Sequence, residues 1–203
     1  MNMISRKYPR TFACDGATFD IGPMSPDHET ALASFVRGLP AHDLLFLRRD
    51  VTQPKVLAAW MEAIREGRVV SLVASQGGEL VGCTALVTER LTWSDHAGEL
   101  RVLVAPSVRG KGLGRVLIQE CFAQALELGL TKLCTQMTID QRAAIAAFEG
   151  LGFRAEGLLR DHVRDRDGKF HDLAMLSHDV RRFQSTMDIY GISEALEPHG
   201  EQA

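Results

Sequence analysis

A glycine-rich, basic segment near the middle of the chain is the first feature that could carry chemistry. Residues 100–119 contain no aspartate or glutamate, although the chain has a formal net charge of −3. Glycines let the main chain approach a ligand closely, and the unpaired N–H groups of a helix's first turn attract anions. The segment therefore predicts a cradle for a diphosphate, with a turn bearing solvated cations as the alternative. Its basic residues are Arg101, Arg109, Lys111 and Arg115, and its glycines are Gly110, Gly112 and Gly114.

The order of residues in this loop excludes two common phosphate-binding motifs. A Walker A loop ends in Gly-Lys-Ser/Thr, whereas Lys111 is followed by Gly112. The dinucleotide fingerprint G-x-G-x-x-G needs two residues before its last glycine, but only Leu113 separates Gly112 from Gly114. The pattern that fits is R/Q-x-x-G-x-G/A, which begins at Arg109.

The hydrophobic pattern predicts the elements that position this loop. Leu100, Val102 and Val104 alternate with other residues in a strand that Pro106 ends, and a helix follows from the loop to Leu128. The other predicted strands cover residues 17–21, 69–74, 80–88, 130–137, 153–162 and 169–177, and the other helices cover residues 27–37, 52–66 and 140–151. This order predicts a single-domain α/β fold. Its sheet is mixed and mostly antiparallel, with six to seven strands and helices on both faces.

Composition excludes several other classes of protein. The 203 residues are 45% hydrophobic and 24% charged, as expected of one globular domain with a core. The acidic net charge argues against a nucleic-acid partner, and the lack of a long apolar run argues against a membrane span. The four scattered cysteines and the absence of a signal-like N-terminus favour the cytoplasm. We expect a leader over residues 1–15, the domain over 16–180 and a tail with a short helix over 181–203.

The loop and a second motif together resemble the GCN5-related N-acetyltransferases. Val104-Ala105-Pro106 is similar to the family's V-x-P strand end, and the loop that follows is similar to its coenzyme A loop. Ala144-Ile145, Phe148-Glu149 and Gly152-Phe153 resemble its A-I-x-x-Y-E-x-x-G-F helix. The predicted order of elements from about residue 17 to 180 also resembles that of the family, so the resemblance covers most of the chain.

The resemblance implies acetyl-CoA as the co-substrate and no metal. The main chain of Val102, Leu103 and Val104 would bind the pantetheine arm, and Val104 would also contact the oxyanion. The N–H groups from Arg109 to Arg115 would bind the pyrophosphate, whereas the side chains of Lys111 and Arg115 are either phosphate contacts or solvated cations. The full cofactor-binding set is Val102, Leu103, Val104, Arg109, Gly110, Lys111, Gly112, Leu113, Gly114, Arg115, Gln141 and Phe148.

The resemblance also suggests how the acceptor is activated. A primary amine is protonated at neutral pH and must lose a proton before it attacks. Glu99 resembles the base of several family members, with an exposed strand-end glutamate as the alternative and His96 as a weaker candidate. Phe148 stands where the family commonly has a tyrosine that protonates the thiolate, and Gln141 stands where it often has an asparagine. No general acid is therefore assigned.

Three functions fit the sequence. The first is direct acetyl transfer to a primary amine, of a small molecule or of a protein lysine, in a ternary complex. The second is a non-catalytic acyl-CoA-binding module, which Phe148 motivates, and the third is a nucleotide-binding regulator. A homodimer is left open. His162 and His171 flank the Asp167-Gly168 turn, and a metal site between them is the alternative to a plain hairpin.

Overall fold

The computed structural model describes residues 6–180, so the helix predicted in the tail around Phe183, Met187 and Tyr190 lies outside the described residues. Within the described part, nine strands and four α-helices follow one another, with short 3₁₀ turns at Pro26–His28, Ala41–Leu44 and Pro106–Val108. The strands are β1 (Arg10–Cys14), β2 (Ala17–Pro23), β3 (Val69–Val70), β4 (Leu72–Gln76), β5 (Glu79–Thr88), β6 (Ala97–Val104), β7 (Lys132–Thr138), β8 (Arg154–Arg164) and β9 (Phe170–Asp179). The helices are α1 (Glu29–Gly38), α2 (Pro54–Arg65), α3 (Leu113–Glu127) and α4 (Arg142–Glu149).

The strands form one mixed sheet in the order β1-β2-β4-β5-β6-β7-β9-β8, and β3 pairs with β5. Among the described strands, only β6 and β7 pair in parallel. The predicted α/β fold with a mixed, mostly antiparallel sheet is therefore confirmed. The strand count is larger than the predicted six to seven, because the strand predicted over residues 69–74 is divided at Ser71 and because β1 is added.

Strand β1 corrects the predicted leader. Residues 10–14 pair with β2, and an Asp15-Gly16 turn with φ values of 44° and 75° joins the two strands. Asp-Gly is a typical turn for a two-residue hairpin, so the sequence did carry a signal for β1. The signal is weak because β1 is an edge strand, whose residues alternate between half-buried and exposed.

The helices cover both faces of the sheet, as predicted. Helices α1 and α2 bury Leu32 and Met61 against one face, in a cluster that includes Leu103 of β6. Helices α3 and α4 bury Phe122 and Phe148 against the other face. Among the described residues, no helix is both long and apolar enough to cross a membrane.

Two chain reversals have a form that depends on the contacts of a carboxylate. Asp140 does not cap α4, since its carboxylate lies 2.8 Å from Nε2 of His42, and Gln141 occupies the N-cap position instead. The β8–β9 connection is wider than an Asp-Gly turn. In it the carboxylate of Asp165 accepts hydrogen bonds from the N–H groups of Asp167 and Lys169, at 3.0 and 2.9 Å.

Candidate active site

The predicted phosphate cradle is a turn with left-handed backbone at two glycines. Gly110 and Gly112 have φ values of 76° and 79°, and Gly112 is the N-cap residue of α3. A Cβ on Gly112 would lie 3.3 Å from Cβ of Cys14 in β1, so β1 closes the space behind the turn. Val108 and Leu113 are buried on either side and hold the turn in place. The N–H groups of the first turn of α3 lack helical acceptors and can bind an anion.

The side chain of Arg109 is exposed but bonded to two neighbouring segments of the protein. Its Nε and Nη2 donate to the carbonyl of Val104 at 3.2 and 3.0 Å, and Nη2 also lies 2.6 Å from Oδ2 of Asp43. The start of the loop is thereby tied to the end of β6 and to the 3₁₀ turn Ala41–Leu44. Lys111 is half-buried and Arg115 is exposed, near the N-terminus of α3.

Strands β6 and β7 separate part-way along their length. They pair from Ala97 to Glu99, opposite Lys132 to Cys134, and beyond this point β7 pairs with β9 but not with β6. We call the opening between residues 100–104 and residues 135–138 the β6–β7 gap. Glu99 lies at its closed end, and the cradle lies at its open end.

The main-chain groups of β6 face this gap at alternate residues. The N–H of Ala105 donates to Val81 of β5 at 2.8 Å, whereas the carbonyl of His96 accepts from Thr131, beside β7, at 2.9 Å. The register with β5 is continuous over Gly98–Val104, so the alternation holds along the strand. The main-chain groups of Val102 and Val104 therefore point into the gap. Those of Leu103 point at β5, and its side chain is buried.

Glu99 is held by two arginines on the face of the sheet opposite α3. Its oxygens accept hydrogen bonds from Nε and Nη2 of Arg101 at 2.8 and 3.0 Å, and Nε of Arg48 lies 3.9 Å away. The side chain of Glu99 is 18% exposed, so an acceptor can reach it. Each carboxylate oxygen has a further lone pair with which to accept a proton or a hydrogen bond.

A second polar group lies on the same face, near the open end of the gap. Nε2 of His42 lies 2.8 Å from Oδ2 of Asp140 and 3.3 Å from Oγ1 of Thr138, the last residue of β7. The His42 ring is in edge contact with that of His171, at 5.1 Å between centroids. The turn Ala41–Leu44 thus reaches across the gap, with Asp43 on the β6 side and His42 on the β7 side.

Two surface cavities among residues 6–180 differ in their position relative to the predicted site. One of about 450 Å³ lies between α1 and α2 and borders none of the predicted site residues. The other, about 290 Å³, borders Asp140 and His171. Because Asp140 and His171 can bind a proton or an ion, we assign the 290 Å³ cavity to the site.

Known proteins match this arrangement at the level of sequence and fold. A family model described as the acetyltransferase (GNAT) family matches residues 39–153, more than half of the chain. The chain belongs to the acetyltransferase (GNAT) family. It is accordingly an acyltransferase, as the two sequence motifs predicted.

Individual members of the GNAT family are distant relatives of this chain. YwnH of Bacillus subtilis (strain 168) is 26% identical over 129 residues, which cover 63% of this chain and 78% of that protein. The ribosomal protein bS18-alanine N-acetyltransferase of Escherichia coli (strain K12) is 29% identical over 75 residues, which cover 37% of this chain and 51% of that enzyme. The matched stretch is thus about half of that enzyme's length.

Solved GNAT structures confirm the fold. The ribosomal-protein-alanine N-acetyltransferase of Brucella melitensis has a TM-score of 0.66 at 26% identity, over 78% of this chain and 98% of that one. YncA of Salmonella typhimurium, solved with acetyl-CoA, has a TM-score of 0.67 at 22% identity, over 80% of this chain and 94% of that one. Spermidine N-acetyltransferase of Vibrio cholerae, solved with CoA and spermine, has a TM-score of 0.69 at 15% identity, over 82% of this chain and 98% of that one.

Three positions named from the family resemblance do not place a side chain in the gap. Gln141 contributes its main chain, whereas Phe148 and His96 lie elsewhere. Gln141 caps α4 with its carbonyl, which accepts from Ile145 at 3.0 Å. Phe148 is 5% exposed, and its ring meets that of Phe153 edge-on at 4.9 Å between centroids. His96 precedes β6 beyond the closed end of the gap and is exposed.

The register of the β8–β9 hairpin does not pair the two histidines of the alternative metal site. Val163, not His162, lies opposite His171 in the register, and the His162 side chain is exposed. His171 faces His42 instead. Neither His42 nor Asp43 was predicted from the sequence as a site residue. A polar pair inside an otherwise apolar stretch was the signal available.

Proposed function

We propose that this GNAT protein transfers an acetyl group from acetyl-CoA directly to a primary amine, with both substrates bound together. The observation that carries the proposal is the β6–β7 gap, which has an anion cradle at one end and a carboxylate at the other. The gap also connects the two faces of the sheet. The cradle at the start of α3 lies on one face, and Glu99 lies on the other, so donor and acceptor can approach from opposite sides.

The donor fits the gap through main-chain contacts. The pantetheine arm is rich in amides, and the main-chain groups of Val102 and Val104 are positioned to pair with it as a neighbouring strand would. The carbonyl of Val104 already accepts from Arg109, so its N–H is the group available to the thioester carbonyl. The pyrophosphate takes the N–H groups at Gly112 to Arg115, where the helix dipole favours negative charge.

The acceptor is activated by Glu99. The carboxylate takes a proton from the ammonium group, directly or through a water molecule, and the neutral amine attacks the thioester carbon. The N–H of Val104 stabilises the negative charge that develops on the carbonyl oxygen. The carbon–sulfur bond then breaks, the thiolate leaves, and the nitrogen loses its second proton to water to give the neutral amide.

No side chain needs to protonate the leaving group. Phe148 has no proton to give, and it is packed in the core. A thiol has an ordinary pKa of about 8.5, so its thiolate is a tolerable leaving group that water can protonate. General acid catalysis typically increases a rate by about 10²–10⁴-fold. The absence of a tyrosine at this position therefore lowers the rate by no more than about that factor.

The substitution Glu99→Gln tests the proposal. We expect kcat for amine acetylation to fall about 10²–10⁴-fold, because glutamine cannot accept the proton. Binding of acetyl-CoA should be retained, because Glu99 lies at the far end of the gap from the cradle. The release of CoA with a panel of amines measures kcat, and calorimetry measures the binding of acetyl-CoA. Glu79→Gln, an exposed position at the β4–β5 turn, is the matched control and should leave both unchanged.

The second candidate function is a non-catalytic acyl-CoA-binding module. Phe148 in the core and the two arginines around Glu99 are the observations that favour it. Tight binding of acetyl-CoA with no turnover by the unmodified protein on any amine would establish this alternative. Thermal stabilisation by ATP but not by CoA would contradict both and indicate a nucleotide-binding regulator.

A further inference from the structure

We infer that His42, Asp140 and His171 form a binding site for a divalent transition-metal ion of the zinc type. These residues come from three separate segments, namely the 3₁₀ turn Ala41–Leu44, the turn between β7 and α4, and strand β9. One ligand atom from each lies within 4.8 Å of the other two. The site lies on the face of the sheet where the acceptor approaches.

The donor set selects the kind of ion. Two imidazole nitrogens and one carboxylate oxygen suit zinc and its neighbours, whereas magnesium and calcium prefer oxygen ligands alone. Zinc binds such ligands at about 2.0–2.2 Å, which places tetrahedral ligand atoms about 3.4 Å apart. The largest separation here, 4.8 Å, therefore has to close by roughly an ångström. Rotation of exposed side chains can supply this, since Asp140 is 57% and His42 is 35% exposed.

The third ligand is already oriented by a carboxylate. Oδ2 of Asp165 lies 2.7 Å from Nε2 of His171, whose side chain is 11% exposed. A histidine bound to a metal through one nitrogen commonly donates its other N–H to a carboxylate, which fixes the ring and makes the ligand more basic. Nδ1 of His171 is then the nitrogen that can turn to the ion, and Asp165 is the positioning residue.

The carboxylate ligand already contacts one of the histidines, since Oδ2 of Asp140 lies 2.8 Å from Nε2 of His42. An ion would take the place of the direct contact between His42 and Asp140. Three protein ligands leave one tetrahedral position, which opens toward the 290 Å³ cavity and can take water.

A bound ion would connect three segments that meet here through side chains. Asp43, next to His42, contacts Arg109 of the cradle, so the same turn touches both the donor loop and the ion site. We therefore expect the ion to stabilise the position of the turn Ala41–Leu44 against the end of β7. Binding requires no acetyl-CoA, so its test is independent of acetyl transfer.

Titration of the chelator-treated protein with Zn²⁺, in competition with a chromophoric chelator, tests the inference. We expect one ion per chain and a rise in the thermal midpoint. Both should be lost in His42→Ala and in His171→Ala. Asp165→Asn keeps all three ligands and should weaken binding by about 10–100-fold. Binding should also fall at acidic pH, because the imidazoles must be unprotonated to bind the ion.

His162→Ala is the matched control, because His162 is an exposed histidine of the same hairpin that lies outside the site. It should bind Zn²⁺ as the unmodified protein does. Equal affinity in His42→Ala, His171→Ala and the control would overturn the inference, as would loss of binding in all three. Circular dichroism and the metal-free thermal midpoint of each variant show that the comparison is made between folded proteins.

Discussion

Gly112 meets two independent requirements, one of the backbone and one of space. Its φ of 79° is strained for a residue with a side chain, and a Cβ would lie 3.3 Å from that of Cys14. The first requirement belongs to the turn itself and was predictable from the glycine pattern. The second comes from β1, which is distant in sequence from the loop and was not predicted as a strand.

The substitution Gly112→Ala should abolish the thermal stabilisation of the protein by CoA. A left-handed alanine costs about 1–2 kcal/mol, and the contact with Cys14 also pushes the turn away from its place. Gly16→Ala is the matched control, because Gly16 has a φ of 75° but no atom within 4 Å of its Cβ position. Gly16→Ala should destabilise the protein through a similar backbone strain, but CoA should still raise its thermal midpoint. An unchanged CoA shift in Gly112→Ala would remove this glycine from the cradle.

At the scale of elements, the function depends on one strand with two different edges. The main chain of β6 pairs with β5 from Gly98 to Val104 and with β7 only from Ala97 to Glu99. The alternation of Leu100, Val102 and Val104 predicted the strand from the sequence. The early separation of β6 from β7 could not be predicted, because no sequence pattern within either strand indicates where their pairing ends.

Amide hydrogen exchange distinguishes the two edges of β6. On addition of acetyl-CoA we expect exchange at Val102 and Val104 to slow, because their N–H groups face the gap. Exchange at Leu103 should stay as slow as before, because its N–H is directed at β5. Site-resolved exchange by NMR makes the comparison within one sample. Equal slowing at all three residues would mean general stabilisation of the sheet rather than binding in the gap.

At the scale of the whole molecule, the first described residues are attached to α3 by a buried carboxylate. Glu120 is 1% exposed and is contacted by Arg6, by Arg10 at 3.1 Å and by the hydroxyl of Tyr8 at 2.8 Å. Burial, with the hydrogen bond to Glu120, raises the pKa of Tyr8 well above its ordinary value of 10. The segment assigned from sequence to a leader is therefore part of the fold.

The raised pKa of Tyr8 makes the stability of the protein pH-dependent. The folded state holds the tyrosine proton more tightly than the unfolded state does. The contribution is therefore complete below about pH 10 and is lost as the pH rises above it. In a Tyr190→Phe background, which leaves Tyr8 as the sole tyrosine, phenolate absorbance should appear only well above pH 10. The same variant in denaturant should titrate near 10. A folded protein that titrates there too would contradict the buried contact with Glu120.

What the sequence determined by itself is local. The turn formed by Arg109, Gly112 and Gly114 and the strand before it depend on the conformations of neighbouring residues, and both are found in the structure. The family followed from two such motifs. The cytoplasmic location and the homodimer stay predictions.

Only the tertiary structure decided which distant groups meet. The contact of Arg48 with Glu99, the position of β1 behind Gly112 and the meeting of His42, Asp140 and His171 all join segments far apart in the chain. Such contacts are set by strand register and by the direction of each side chain. A one-residue shift in register turns a side chain to the opposite face of the sheet, so the sequence pattern names candidate residues but cannot pair them.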